Sequence, residues 1–234
     1  MTIFLDALPS TIKYPALKPS IQLFDINPGT RQITLQPGTY RVAVVGAGAG
    51  FTKGGGGGGY DEVEITVAAE TVYSYTVGES AAPIGGTSSF AGILSATGGQ
   101  NTVGGAGLSA AGKRGGNGFS ASASGAFSIG GAAGHAFGPG ASATESNGGS
   151  AFAAAPGFSE TNRGGYRGES FVDGWKIGLL PSDYGFGGAV FSNGIYIPAA
   201  LGGGGVDGVA PGVGGGAGQG ARGGHGAVIV EKLG

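Results

Sequence analysis

Apolar and polar residues alternate with a period of two over much of residues 20–97, and glycine or proline repeatedly cuts the alternation. Such a pattern is that of half-buried strands, not of helices. Ile21, Leu23 and Ile26 predict a first strand that ends at the turn signal Asn27, Pro28, Gly29. Ile33 and Leu35 alternate in a second, closed by Pro37 and Gly38, and residues 40–45 (YRVAVV) form a third. Residues 62–67 (EVEITV) and 72–77 (VYSYTV) read as antiparallel strands with one solvated face, which places Glu62 and Glu64 together on that face. A hairpin is predicted from 88–90 to 93–95. A second joins 189–191 to 195–197 through Ser192, Asn193 and Gly194, and Asn-Gly is a strong short hairpin signal. Residues 227–230 (AVIV) predict a closing strand, and no stretch of useful length carries a helical period.

The interruptions are of an unusual material. Glycine supplies 57 of 234 residues, including an unbroken run at 54–59 and shorter runs at 202–205 and 214–216. Residues 99–170 contain only eight Val, Ile, Leu or Phe, too few to build a core of their own. Glycine loses the most backbone entropy on folding and has no side chain to bury. The runs are therefore flexible linkers, or they pack as only a bare backbone can. Polyproline-II-type helices have three residues per turn and no internal hydrogen bonds, so neighbouring glycine helices can pair their N–H and C=O groups with one another. Several runs embedded between strands of one domain favour packing. The expected fold is all-β: an antiparallel β-sandwich-like domain with inserted glycine-rich loops or packed polyglycine II helices, and negligible α-helix.

Prolines at 9, 15 and 19 argue against a helix in the first segment, which reads as an extended arm over residues 1–19. Phe4, Leu5, Ile12, Tyr14 and Leu17 are its candidate docking residues; the alternative is a terminal strand packed on its own domain. Residues 20–234 form the glycine-rich β domain, with a β core from 20–97, 189–197 and 226–232, a glycine-rich insert at 98–188 and a glycine-rich loop at 201–225.

Composition narrows the function. Lys and Arg number 12 against 14 Asp and Glu, with no basic cluster beyond Lys113 and Arg114, so nucleic acid is not an expected partner. Without cysteine there is neither a disulfide nor a thiolate metal site. No apolar run approaches the roughly 20 residues of a membrane helix, and no secretory signal is visible, so membrane insertion is not expected and a cytoplasmic origin is. Leu, Ile, Val and Phe make up 51 of 234 residues, just above the level of about 20% at which disorder becomes the default.

Motifs that resemble chemistry dissolve on inspection. Residues 46–50 (GAGAG) follow a strand as a dinucleotide-binding loop does, but Phe51 occupies the last glycine position and six glycines follow where a helix must start. Residues 107–114 (GLSAAGKR) miss the phosphate-loop pattern because Arg114 replaces the hydroxyl residue that would hold magnesium. His135 and His225 lie in glycine-rich surroundings without Cys, Asp or Glu at ligand spacing. Glu62 and Glu64 read as a solvated face. No enzymatic constellation and no cofactor are expected. The aromatic cluster between 166 and 196 is more informative, because charged residues are interleaved with it. Phe191 and Tyr196 read as core residues of the second hairpin. Tyr166, Trp175, Tyr184 and Phe186, with Arg167, are either a second half of the core or a recognition surface.

Several segments are similar to the glycine-rich domain of bacteriophage tail fibre and baseplate proteins. Residues 35–46 (LQPGTYRVAVVG) look like that family's opening strand, and Gly54–Gly59 followed by Tyr60 looks like its polyglycine run. Residues 72–78 (VYSYTVG), 85–90 (GGTSSF), 94–99 (LSATGG) and 223–230 (GGHGAVIV) continue the likeness, which covers about half the chain. The resemblance implies a non-enzymatic virion protein of the tail, assembled in the bacterial cytoplasm, that contacts the host surface through loops on a glycine scaffold. Its partners would be other tail fibre or baseplate proteins and a host receptor, either a glycan or an outer-membrane protein, with homo-oligomerisation open. A connector or decoration subunit that binds only virion proteins is the alternative. An ice-binding or cell-wall role would require regular Gly-x-x spacing, which residues 99–170 lack.

Overall fold

The computed structural model describes residues 20–50, 54–120, 127–134, 136, 138–140, 142–143, 190–192, 195–197 and 223–234. These residues are all-β, with no helix among them and every strand pair antiparallel. The strands are β1 (Ile21–Asp25), β2 (Gly29–Leu35), β3 (Gly38–Val45), β4 (Tyr60–Val67), β5 (Thr71–Val77), β6 (Ser88–Phe90), β7 (Leu94–Ala96), β8 (Phe119–Ser120), β9 (Phe127–Ile129), β10 (Val190–Ser192), β11 (Ile195–Ile197) and β12 (Ala227–Lys232). One sheet has the order β1-β12-β3-β4, a second β2-β5-β6-β7, and a third β11-β10-β9-β8.

The first two sheets share an apolar cluster, to which period-two alternation sends one face of each strand. Tyr40, Val42 and Val44 of β3 and Val228 and Val230 of β12 meet Tyr75 and Val77 of β5, Phe90 of β6 and Leu94 of β7. Tyr73 stacks on Phe90 with ring centroids 5.3 Å apart. On the other face of the first sheet a second cluster gathers Ile21, Ile26, Ala43, Val45, Tyr60, Ala227 and Ile229 beneath Ala133. A bulge between Ile21 and Leu23 divides β1 between the clusters. Because one extra residue reverses the alternation, Leu23 packs against the first cluster while Ile21 and Ile26 join the second. The chain-terminal strand β12 is central in its sheet, between β1 and β3. The hairpin β10–β11 pairs with β9 in the third sheet.

Among the described residues, the glycine tracts are bonded to one another. Gly56 and Gly59 donate N–H bonds to the carbonyls of Asn101 (2.8 Å) and Thr97 (3.0 Å) on one neighbouring tract. On a second neighbour, Gly56 and Gly59 accept from Ala49 and Gly46, both at 2.9 Å, and on a third Gly55 and Gly58 accept from Gly131 and Gly134, both at 2.9 Å. Gly57 donates to Gly116 and accepts from Gly105. Contacts with each neighbour thus recur every third residue, the periodicity of an extended three-residue-per-turn helix whose backbone groups all point outward. Close approach, not unusual dihedral angles, is what demands glycine here. A Cβ on Gly56, Gly57 or Gly58 would stand 1.8–2.0 Å from a backbone oxygen of another tract. Residues 54–60 are all buried, and the N–H groups of Gly56, Gly57, Gly59 and Tyr60 and the carbonyls of residues 55–60 are paired with neighbouring segments instead of water.

Candidate functional surface

The tracts run out from one edge of the paired sheets and back again. Val45, Tyr60 and Ala227 lie side by side in the first sheet, with Gly226 bonded to Gly78 just beyond β5, so β3, β4, β5 and β12 all meet the glycine tracts at this edge. Tract 46–50 leads outward and 54–59 returns; 97–101 leads outward and 103–107 returns. Tract 113–118 starts beside Tyr60, to which Lys113 is bonded in both directions, and ends with Gly118 bonded to Thr102 at the far end. There the chain enters β8, and from β9 it returns through 131–134, which bonds back to 55–58. Gly140 and Ala143 then bond to Arg114 and Asn117, so this part of the chain again runs outward.

Two ends are defined in this way. At the base, Ser20 accepts from Lys232 and Gly234 accepts from Thr39. At the far end lie the turn Gln100–Val103, the segment 81–84 bridged to it through Ile84 and Gln100, and the third sheet. The sequence candidates Phe4, Leu5, Ile12, Tyr14 and Leu17 lie outside the described residues, on a segment that joins the domain at the base through Ser20. Tyr166, Arg167, Trp175, Tyr184 and Phe186 also lie outside them, on the segment 144–189. Both of its described anchors are at the far end: Ala143, bonded to Asn117, and Val190, paired with Ile129.

Charged side chains pin loops where backbone pairing stops. Asp61 is fully buried on β4. Its Oδ2 accepts from Leu108 N (3.0 Å) and Ser109 N (2.8 Å), and its Oδ1 accepts from Ser109 Oγ and Glu62 N. A buried carboxylate is tolerated only with such donors, and the donors hold the exposed turn 108–111 against the first sheet. Asp25, also buried, accepts from Asn27 N, Asn27 Nδ2, Arg31 Nη1 (3.0 Å) and Tyr75 Oη (2.9 Å). That network closes the turn predicted at Asn27, Pro28 and Gly29, with Arg31 donating to the carbonyls of Asn27 and Pro28.

Glu62 is not simply solvated beside Glu64. It is half-buried and accepts from Arg41 Nε and Tyr60 Oη, both at 2.8 Å, whereas Glu64 is exposed. Tyr60 caps the polyglycine run with its ring buried, and that burial, offset in part by Arg41, pushes its hydroxyl far above the usual tyrosine range. Tyr75 is pushed well up too, first by burial and then by its bond to Asp25. Sequence reading missed the burial of Asp25 and Asp61, because most of their donors come from elsewhere in the chain.

Among the described residues, no three His, Asp or Glu side chains are placed to hold a metal ion, and no helix is long and apolar enough to cross a membrane. No protein-family model matches the chain, and no curated protein matches it significantly.

Proposed function

We propose that this is a non-enzymatic bacteriophage tail protein, a fibre or baseplate tip component, that docks to the virion at its base and presents a host-binding segment at the far end of the glycine array. The observation that supports this reading is topological. The arm, residues 1–19, joins the domain at Ser20 on the base, while segment 144–189, with its aromatic and charged residues, leaves and re-enters the array at the opposite end. Tracts stapled by interchain-type backbone bonds hold their loops at fixed positions, which lowers the entropy cost of recognition. The partners proposed are tail fibre or baseplate proteins at the base and a host glycan or outer-membrane protein at the tip, after assembly in the bacterial cytoplasm.

The test has two arms. Purified protein is expected to bind host cells and to compete with phage adsorption, and Trp175→Ala with Tyr184→Ala is expected to abolish both while leaving the melting temperature unchanged. Deletion of residues 1–19 is expected to prevent incorporation into particles without affecting cell binding. Absence of cell binding by the intact protein defeats the tip reading, and incorporation that still needs the arm then leaves the connector reading in its place.

A further inference from the structure

The tract that closes the domain, Gly223–Gly226, is fastened differently from the rest. Gly48 N donates to Gly224 O (2.8 Å) and Gly226 N to Gly78 O (2.9 Å), as elsewhere in the array. Between those bonds, Ser80 N donates to His225 Nδ1 at 3.1 Å. Ser80 is buried, so its N–H relies on that nitrogen for a partner. Other side chains that accept from array amides are Thr97 Oγ1, Asn117 Oδ1, Ser88 Oγ and Ser142 Oγ, none of which titrates.

We infer that His225 makes this joint sensitive to pH. Nδ1 can accept only while the imidazole is neutral; a proton on Nδ1 sets two donors against each other and leaves the Ser80 amide buried without a partner. The sign follows directly. The bond is present above the range in which histidine titrates, about 6.5 for an unperturbed ring, and is lost as pH falls through it. The charged residue adjoining the joint is Glu79, next to Ser80 on the facing tract; tract 46–50 carries none. A nearby charge moves the midpoint and does not change which protonation state makes the bond. What loosens is the entry to β12, the strand between β1 and β3, so the edge of the paired sheets that meets the array is clamped to it at neutral pH and less firmly so in acid.

Amide exchange by NMR on the whole protein at pH 8 and pH 5.5, corrected for intrinsic rates, tests the inference. Protection at Ser80 is expected to fall by about tenfold or more in acid, the effect of orphaning one buried donor, while Gly57 and Gly105 in the middle of the array keep theirs. In His225→Gln, whose side-chain oxygen accepts at either pH, the change at Ser80 is expected to vanish. Equal Ser80 protection at both pH values in the unmodified protein overturns the inference, even if the variant does not fold. So does a pH dependence that persists unchanged in a folded His225→Gln protein.

Discussion

Gly58→Ala is the substitution that separates a packed glycine array from a tether. In a flexible linker, alanine would be neutral or would stabilise by about 0.4–1 kcal/mol, because it restricts the unfolded chain. In this structure a Cβ at position 58 stands 1.8 Å from the carbonyl oxygen of Gly46 and 2.4 Å from its carbon. Both are backbone atoms, which cannot rotate aside. To restore ordinary contact at 3.4 Å, tract 46–50 must retreat by about 1.6 Å. The bonds Gly46 N to Gly59 O and Ala49 N to Gly56 O, each 2.9 Å, would then stretch to about 4.5 Å, which is no hydrogen bond. Two buried pairs broken, at about 1–3 kcal/mol each, give an expected loss of about 2–6 kcal/mol. For a domain stable by about 5–15 kcal/mol that is a large share. The control is Gly92→Ala, where no atom lies within 4 Å and the cost comes only from a φ of +70°, about 1–2 kcal/mol. Urea denaturation followed by circular dichroism measures both. A Gly58→Ala midpoint equal to or above that of the unmodified protein, at unchanged slope, refutes the packing argument.

Asp61→Ala removes a buried acceptor of several donors and is expected to cost about 2–4 kcal/mol, with the amides of Leu108 and Ser109 losing exchange protection first; a midpoint shift near zero would show that the carboxylate does not hold the turn. Tyr60 and Tyr75 keep their protons in the folded state above the ordinary tyrosine value of about 10 and lose them readily once unfolded. Their contribution to stability is therefore complete below that value and declines as pH rises beyond it. An ultraviolet titration is expected to show a component that ionises only together with unfolding and that is lost on replacing Tyr60 and Tyr75 by Phe; a component unchanged by both replacements would contradict this.

Much of the fold is legible in the chain because its signals are local. Alternation in residues 62–67 and 72–77 marks strands whatever they pair with, and the Pro-Gly steps at 28–29 and 37–38 sit where β2 and β3 begin. The turn at 91–93 likewise separates β6 from β7. The bulge in β1 was not legible, because it is set by pairing with β12, some 200 positions later in the chain. Nor was the burial of Asp61, whose donors arrive from Leu108 and Ser109.

By itself, then, the sequence determined that the described part of the protein is built of strands, that there is no cysteine chemistry, and that long stretches have nothing to pack except backbone. Only the tertiary structure decided which glycine tract lies beside which, that Gly54–Gly59 is surrounded by the others, and that Ser20 lies at one end while Ala143 and Val190 lie at the other. The physical reason is that a glycine carries no side chain by which a neighbour could be specified. Its partner is chosen by the closeness of two main chains and by hydrogen bonds between residues far apart in sequence, and neither leaves a trace in the local pattern.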